Sequence, residues 1–289
     1  MKVISTVARL KEELADTRSY PFGFVPTMGA IHEGHLSLVR NAIAQCPLVA
    51  VSIFVNPTQF NDREDLKNYP RTIDEDIALL GTVMRKDDLL FTPDNKEIYP
   101  SEDKRVFNFG NLDKVMEAVH RSGHFNGVAQ VVSRLFEIVR PDFAYFGQKD
   151  FQQLAIVREL VRQTGLNIKI IGNPIIREKD GLAMSSRNRL MEPEKRSVAG
   201  IIYKTILKAS EMICDHDIEE IKKYVKETIE KPSGFEVEYF EIVDENKLKS
   251  VDSFADFKEG VRYYGCVAVN TGKVRLIDNI EIPLIQGKG

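Results

Sequence analysis

The chain reads as an α/β protein: a doubly wound, Rossmann-like parallel sheet followed by a smaller C-terminal α+β domain. Three observations predict this. Over residues 1–177, short apolar, β-branched runs alternate with segments of helical period, the pattern of right-handed βαβ crossovers. The run Leu48-Val49-Ala50-Val51-Ser52-Ile53-Phe54-Val55 is almost wholly apolar, as a strand covered on both faces requires. Beyond about Arg177 the alternation stops, and helical segments give way to strand-like ones.

The first strand is Phe22-Gly23-Phe24-Val25, broken by Pro26 and Gly29, and a helix follows from about His32 to Gln45. The 48–55 strand ends at Asn56-Pro57, because proline cannot donate within a central sheet. A helix over Asp74–Arg85 leads to the short strand Leu89-Leu90-Phe91. Val128, Val131, Val132, Leu135, Phe136 and Val139 recur at the spacing of one buried helix face. Phe143–Phe146 and Ile168–Ile171 are further strands with a helix between them. In the second domain, 178–289, two helices fill residues 193–230 and separate near Asp215–Asp217. Strands at Glu236–Val243, Tyr263–Val269 and Lys273–Ile277 follow, with Asn270-Thr271-Gly272 as a hairpin turn. The polar joining segment Arg177–Arg189 serves either as a linker or as a lid over a site.

At 289 residues the chain can build one large or two ordinary domains. A net charge of −3 points to no nucleic-acid or membrane-surface partner. Cys46, Cys214 and Cys266 lack metal spacing and fit a reducing compartment. Met1–Ser5 does not open an apolar leader, and no apolar run reaches the roughly 18 residues of a membrane span. The expectation is a cytoplasmic protein.

In a doubly wound sheet, ligands bind beyond the carboxyl ends of the strands. Pro26–His35, Asn56–Phe60 and Gly147–Gln153 each follow a strand, so one sheet edge carries all three. His32 and His35 fall where a helix begins. Helix N-termini hold unpaired N–H groups and about half a positive charge, and imidazoles three residues apart add donors on the same face. An anion, such as a nucleotide triphosphate, suits that arrangement. The spacing differs from the i, i+4 histidines of a zinc HExxH helix. Lys149 offers charge to phosphates, Asp150 an acceptor for a ribose hydroxyl, and Gln153 a contact one turn on. Asn56 and Gln59 place two amides at a strand end, and His124 precedes the long amphipathic helix. Met184-Ser185-Ser186-Arg187 combines hydroxyls, backbone donors and a guanidinium. Singly, each segment reads equally well as a capped helix start, a loop amide or a solvated charge.

Together and in order, these segments resemble the pantoate–β-alanine ligase (pantothenate synthetase) family of the HIGH-motif nucleotidyltransferase superfamily. The resemblance runs through Pro26–His35, Val51–Phe60, Tyr69-Pro70-Arg71, Gly123–Val128, Tyr145–Gln153, Gly181–Asn188 and Arg275–Asn279. The departures are Ile31 where leucine is usual and Gln130 where threonine is usual. The resemblance implies an AMP-forming ligase that joins pantoate to β-alanine through a pantoyl-adenylate, as a homodimer. It implies that ATP lies along Met28, Gly29, His32, His35, Gly147, Lys149, Asp150, Ile176, Met184, Ser185, Ser186 and Arg187. His35 would act as proton donor or phosphate stabiliser beside His32, with Lys149 and Arg187 offsetting phosphate charge. Gln59 and Gln153 would hold pantoate, Gln59 also facing β-alanine, with Asn56 beside them. Mg²⁺ would arrive with the nucleotide on phosphate oxygens and water, with no direct protein ligand assigned and Asp74, Glu75 and Asp76 as outer contacts.

Two other readings share these motifs. One is another HIGH-motif nucleotidylyltransferase, which would need extra cations for a phosphorylated acceptor. The other is a non-catalytic nucleotide-binding protein, which only turnover separates from an enzyme.

Overall fold

Residues 1–15, 21–61 and 63–283 are described by a computed structural model of the chain. In order, the elements of the first half are β1 (Lys2–Ile4), α1 (Val7–Ala15), β2 (Phe22–Thr27), α2 (Glu33–Gln45), β3 (Leu48–Ile53), α3 (Arg63–Asn68), α4 (Ile73–Gly81), β4 (Leu89–Phe91), α5 (Asn95–Ile98), α6 (Glu117–His120), α7 (His124–Val139), β5 (Phe143–Gly147), α8 (Phe151–Thr164) and β6 (Lys169–Asn173). The second half adds α9 (Pro193–Val198), α10 (Ile201–Met212), α11 (Ile218–Ile229), β7 (Glu236–Asp244), β8 (Tyr263–Thr271) and β9 (Val274–Ile282).

Strands β1–β6 form one parallel sheet in the order β1-β4-β3-β2-β5-β6. From β2 the chain winds one way through β3 and β4, then returns to β5 on the other side. The switch point therefore lies between β2 and β5, where a crevice opens at the carboxyl ends of the strands. The sheet is covered on both faces. Phe24, Phe91, Phe136 and Ala144 belong to one buried cluster, and Val25, Val39, Val51 and Tyr145 to another. That double burial explains the near-continuous apolar reading of residues 48–53.

The sequence reading missed β1 and α1. A three-residue edge strand is too short to show a period. The expected strand 48–55 stops at Ile53, because Phe54 N–H already bonds Thr27 O and Asn56 caps a 3₁₀ turn at Pro57–Gln59. The helix expected over 74–85 is Ile73–Gly81, and its last residues continue as turns.

After β6 the second half lays an antiparallel sheet, β7-β8-β9, against α10 and α11. Its helical part is three helices rather than two, interrupted at Ala199-Gly200. The hairpin turn is Gly272-Lys273, since Asn270 and Thr271 pair with Arg275 and Val274 inside the ladder. One face of this sheet packs on the helices through Ile202, Ile206, Ile221, Val225, Val267 and Val269. The other sends Tyr264 and Cys266 into the main core, where the Tyr264 and Phe151 ring centroids lie 4.5 Å apart. The two sheets are thereby tied together around one crevice.

Candidate functional site

The turn after β2 is built from the inside. Thr27 Oγ1 donates to Ser52 O (2.7 Å) and accepts from Gly29 N–H (3.2 Å). Gly29 and Ala30 both take positive φ, 80° and 49°. The buried Asp76 carboxylate compensates by accepting Ala30 N–H at 2.9 Å and Ile31 N–H at 2.7 Å. A Cβ on Gly29 would stand 2.9 Å from that carboxylate, so glycine is required twice over. Asp76 is thus an anchor for the loop rather than an outer contact for a metal ion, because its oxygens are committed to backbone.

The loop delivers α2 with an unusual cap. His32 Nδ1 accepts Gly34 N–H (3.1 Å), and His35 Nδ1 accepts His32 N–H (3.4 Å). Both Nδ1 atoms act as acceptors, so each neutral ring carries its proton on Nε2. The rings lie 4.1 Å apart, and burial, followed by nearby positive charge, lowers the pKa of His32 to about 4 and of His35 to about 3. The helix therefore opens with two neutral N–H donors at its positive end. His124 is also neutral, held to about 4 chiefly by burial and then by Arg121, and its Nδ1–H donates to Gln59 O at 2.7 Å.

These shifts carry a stability consequence. Between about pH 6.5 and pH 4 the unfolded chain binds protons that the folded imidazoles refuse, so stability falls as pH is lowered through that window. Thermal unfolding at pH 7 and pH 5 should give a lower Tm at pH 5, and His35→Asn should flatten the dependence. An equal pH slope in wild type and variant would contradict the neutral assignment.

Gln59 is presented by the 3₁₀ turn after β3. Its Nε2 lies 3.0 Å from Met28 Sδ, and its Oε1 accepts from Asn56 Nδ2 at 3.3 Å. Asn56 also donates to Gly127 O (3.1 Å) and accepts from Tyr99 OH (3.1 Å). A Cβ on Gly127 would fall 2.4 Å from Thr58 O, so α7 can lie this close only with glycine there. The departure Gln130 bonds the backbone carbonyls of Asp103 and Arg105, a structural use, and Ile31 is buried.

From the other side of the switch point, Gly147-Gln148-Lys149-Asp150 leads into α8. Lys149 Nζ is 3.8 Å from Asp150 Oδ1. Asn279 of β9 holds this loop by donating from Nδ2 to Gln148 O (2.9 Å) and Lys149 O (3.1 Å). The neighbouring Asp278 takes both ends of the Arg177 guanidinium, at 2.6 and 3.0 Å, and Arg177 lies 3.8 Å over the Tyr203 ring. The joining segment is therefore built rather than slack, with Arg177 bridged to Ala183. Its far end, Met184–Arg187, forms a wall of the site. Ser185 Oγ accepts Arg187 N–H, and Arg187 Nη2 reaches Asp65 at 3.0 Å.

One cavity of about 210 Å³ gathers these parts. Met28, His32, His35, Gln59, Gly147, Lys149, Asp150, Gln153, Ile176, Met184, Ser185, Ser186 and Arg187 all line it. Two of the expected residues do not. Asn56 is fully buried behind Gln59, and Gly29 shapes the loop without reaching the cavity. Tyr69, which carries part of the resemblance without an assigned role, also lines the cavity, as does the apolar wall Val128-Val131-Val132-Leu135. Helical spacing alone marks those valines only as core. Asp65 was also missed, because an acidic residue on a short surface helix carries no sequence signal of its partner.

Neutral N–H donors, a lysine and a Ser-Ser-Arg turn converging on the carboxyl edge of a parallel sheet are the arrangement with which α/β folds hold phosphate groups. The chain belongs to the pantoate–β-alanine ligase family, whose model matches residues 2–281. It is 49% identical to the pantothenate synthetase of Bacteroides thetaiotaomicron over 97% of this chain and 99% of that one. It is 47% identical to the pantothenate synthetase of Porphyromonas gingivalis over the same shares. Among solved structures, pantothenate synthetase from Thermus thermophilus superposes with a TM-score of 0.89 at 41% identity, covering 98% of this chain and 99% of that one. Pantoate–β-alanine ligase from Francisella tularensis, solved with beta-gamma ATP and β-alanine, gives 0.77 at 33% identity, covering 97% of each.

Proposed function

We infer that the chain condenses pantoate with β-alanine at the expense of ATP, releasing AMP and pyrophosphate through a pantoyl-adenylate. The observation that carries this is the convergence of His32, His35, Gln59, Lys149, Gln153 and Ser185–Arg187 on one cavity in a chain of that ligase family. Pantoate bears a dimethyl carbon between polar groups. The valine wall of α7 beside two glutamine amides meets both demands.

In the first step a pantoate carboxylate oxygen attacks the α-phosphorus, and the bond to the pyrophosphate oxygen breaks. Anion meets anion, so catalysis must offset charge and hold an in-line geometry. The Nε2–H groups of His32 and His35 supply donors on the phosphate path. Their depressed pKa values favour hydrogen bonding over net proton donation. Lys149 and Arg187 supply charge, Arg187 exchanging Asp65 for phosphate. In the second step the β-alanine amine attacks the acyl carbon, loses a proton, and AMP departs with the acyl–oxygen bond. Excluding water from the mixed anhydride is the task of the walls built by Met184–Arg187 and Tyr69.

Mg²⁺ belongs to the same proposal. Among the described residues no cluster of three or more His, Cys, Asp or Glu side chains is arranged to hold a metal ion, and Asp76 is committed elsewhere. This donor set fits a cation carried by phosphate oxygens and water, which would neutralise phosphate charge. A homodimer and a cytoplasmic location are proposed with it. No helix among the described residues is long and apolar enough to cross a membrane.

Incubation with ATP, pantoate and β-alanine should give AMP and pantothenate in equal amounts, with neither formed when pantoate is withheld. ADP as product would contradict the reading. Gln153→Ala should weaken pantoate binding by about 1–3 kcal/mol, the cost of leaving a buried polar group unpaired. Calorimetric titration with pantoate in the presence of a non-hydrolysable ATP analogue measures it, and unchanged affinity would remove Gln153 from the site.

A further inference from the structure

Arg121 lies between α6 and α7, partly buried, and takes no part in the adenylation chemistry outlined above. Among the described residues no hydrogen bond or ion pair engages its guanidinium, although carboxylates stand nearby. Glu117, Asp65 and Asp278 are each committed to other partners. Glu117 accepts both Arg275 nitrogens at 2.7 and 2.8 Å and Tyr239 OH at 2.7 Å. Asp65 holds Arg187, and Asp278 holds Arg177. A half-buried cation without a partner is costly to keep, so it is expected to serve an anion that comes and goes.

Its position says which anion. Arg121 lines a small cavity of about 40 Å³ whose other walls include His124, Lys149, Asp150, Gln152 and Gln153. It also faces the broader cleft between the two sheets. It does not line the main cavity, where His32, His35 and Ser185–Arg187 gather. Lys149, Asp150 and Gln153 line both cavities, so the border between them is where the acyl carbon held by Gln153 would stand. The small cavity has room for a few heavy atoms and none for a nucleotide. Within it Gln152 is already spent on Leu112 O, Val115 O and Glu117 N–H.

We propose that Arg121 binds the carboxylate of the incoming amino acid, so that the amine at its other end faces the acyl-adenylate across Gln153. This rests on the ligase reading above and names the group that would select an amino acid over a plain amine. A guanidinium fits because it pairs a carboxylate through two parallel N–H bonds.

The test compares wild type, Arg121→Ala and Arg121→Lys in two assays. The first is overall condensation with β-alanine and with propylamine, which lacks the carboxylate. The second is pantoate-dependent ATP–pyrophosphate exchange, which needs no amine. The expected result is a KM for β-alanine raised on the order of 10- to 100-fold in Arg121→Ala, as for one lost charge-assisted pair. The preference for β-alanine over propylamine should fall by a similar factor, and Arg121→Lys should recover part of both. A rise confined to the KM for ATP in exchange would make Arg121 a phosphate contact and overturn the proposal. So would an unchanged preference for β-alanine. Wild type showing no pantoate-dependent exchange would instead defeat the ligase reading itself.

Discussion

Replacing His35 or Lys149 with alanine is expected to slow adenylation on the order of 10²- to 10³-fold, the scale for losing one preorganised donor to a developing negative charge. The two losses arise differently. His35 is neutral, and its Nδ1 is fixed by the His32 amide, so Nε2–H is a positioned dipole that needs no reorganisation when charge develops. Alanine removes that dipole and also leaves the His32 amide without its acceptor. Lys149 supplies a full charge, steadied by a loop that Asn279 holds through two carbonyls. Single-turnover formation of the adenylate measures both variants. A near-normal rate in either would remove that residue from the chemistry.

Asp278→Ala carries the largest expected cost to stability, about 3–5 kcal/mol, because it strands a guanidinium in a mostly buried site. Arg177 has only 18% of its side-chain surface exposed and Asp278 only 2%, so water cannot replace the lost partner. The Asn279 amide also loses its acceptor, the Asp278 carboxylate at 2.8 Å. Urea unfolding measures the loss. Since β9 also holds the Lys149 loop, the KM for ATP should rise in the same variant. The double change Asp278→Leu with Arg177→Met should cost less than Asp278→Ala alone, as replacing a buried pair with apolar groups often does. A loss below about 1 kcal/mol in the single variant would show that the pair is not a clamp between the two sheets.

The legible parts of the fold were those that repeat. Five of the six parallel strands could be read because double burial writes apolar runs, and α7 because its face recurs at helical spacing. Strand β1 could not, since its partners lie far away in sequence at Leu89–Phe91. The site divides along the same line. Residues that line the cavity, such as His32, His35, Lys149 and Gln153, stand in compact local motifs and are legible for that reason. Residues that act through others were misjudged or missed. Nothing local in the sequence says that Asp76 accepts the Ala30 and Ile31 amides some 45 positions away. A strand-end amide such as Asn56 looks alike in sequence whether it faces a ligand or supports Gln59. Pairings such as Arg187 with Asp65 exist only once the chain has folded.

The cavity between β2 and β5 is proposed to activate pantoate as an adenylate. ATP–pyrophosphate exchange, followed with labelled pyrophosphate in the absence of β-alanine, tests it most directly. Exchange that depends on pantoate, and that collapses in His35→Ala and Lys149→Ala, is the predicted result. Exchange that proceeds equally well without pantoate, or not at all with it, would rule out activation of pantoate at this cavity.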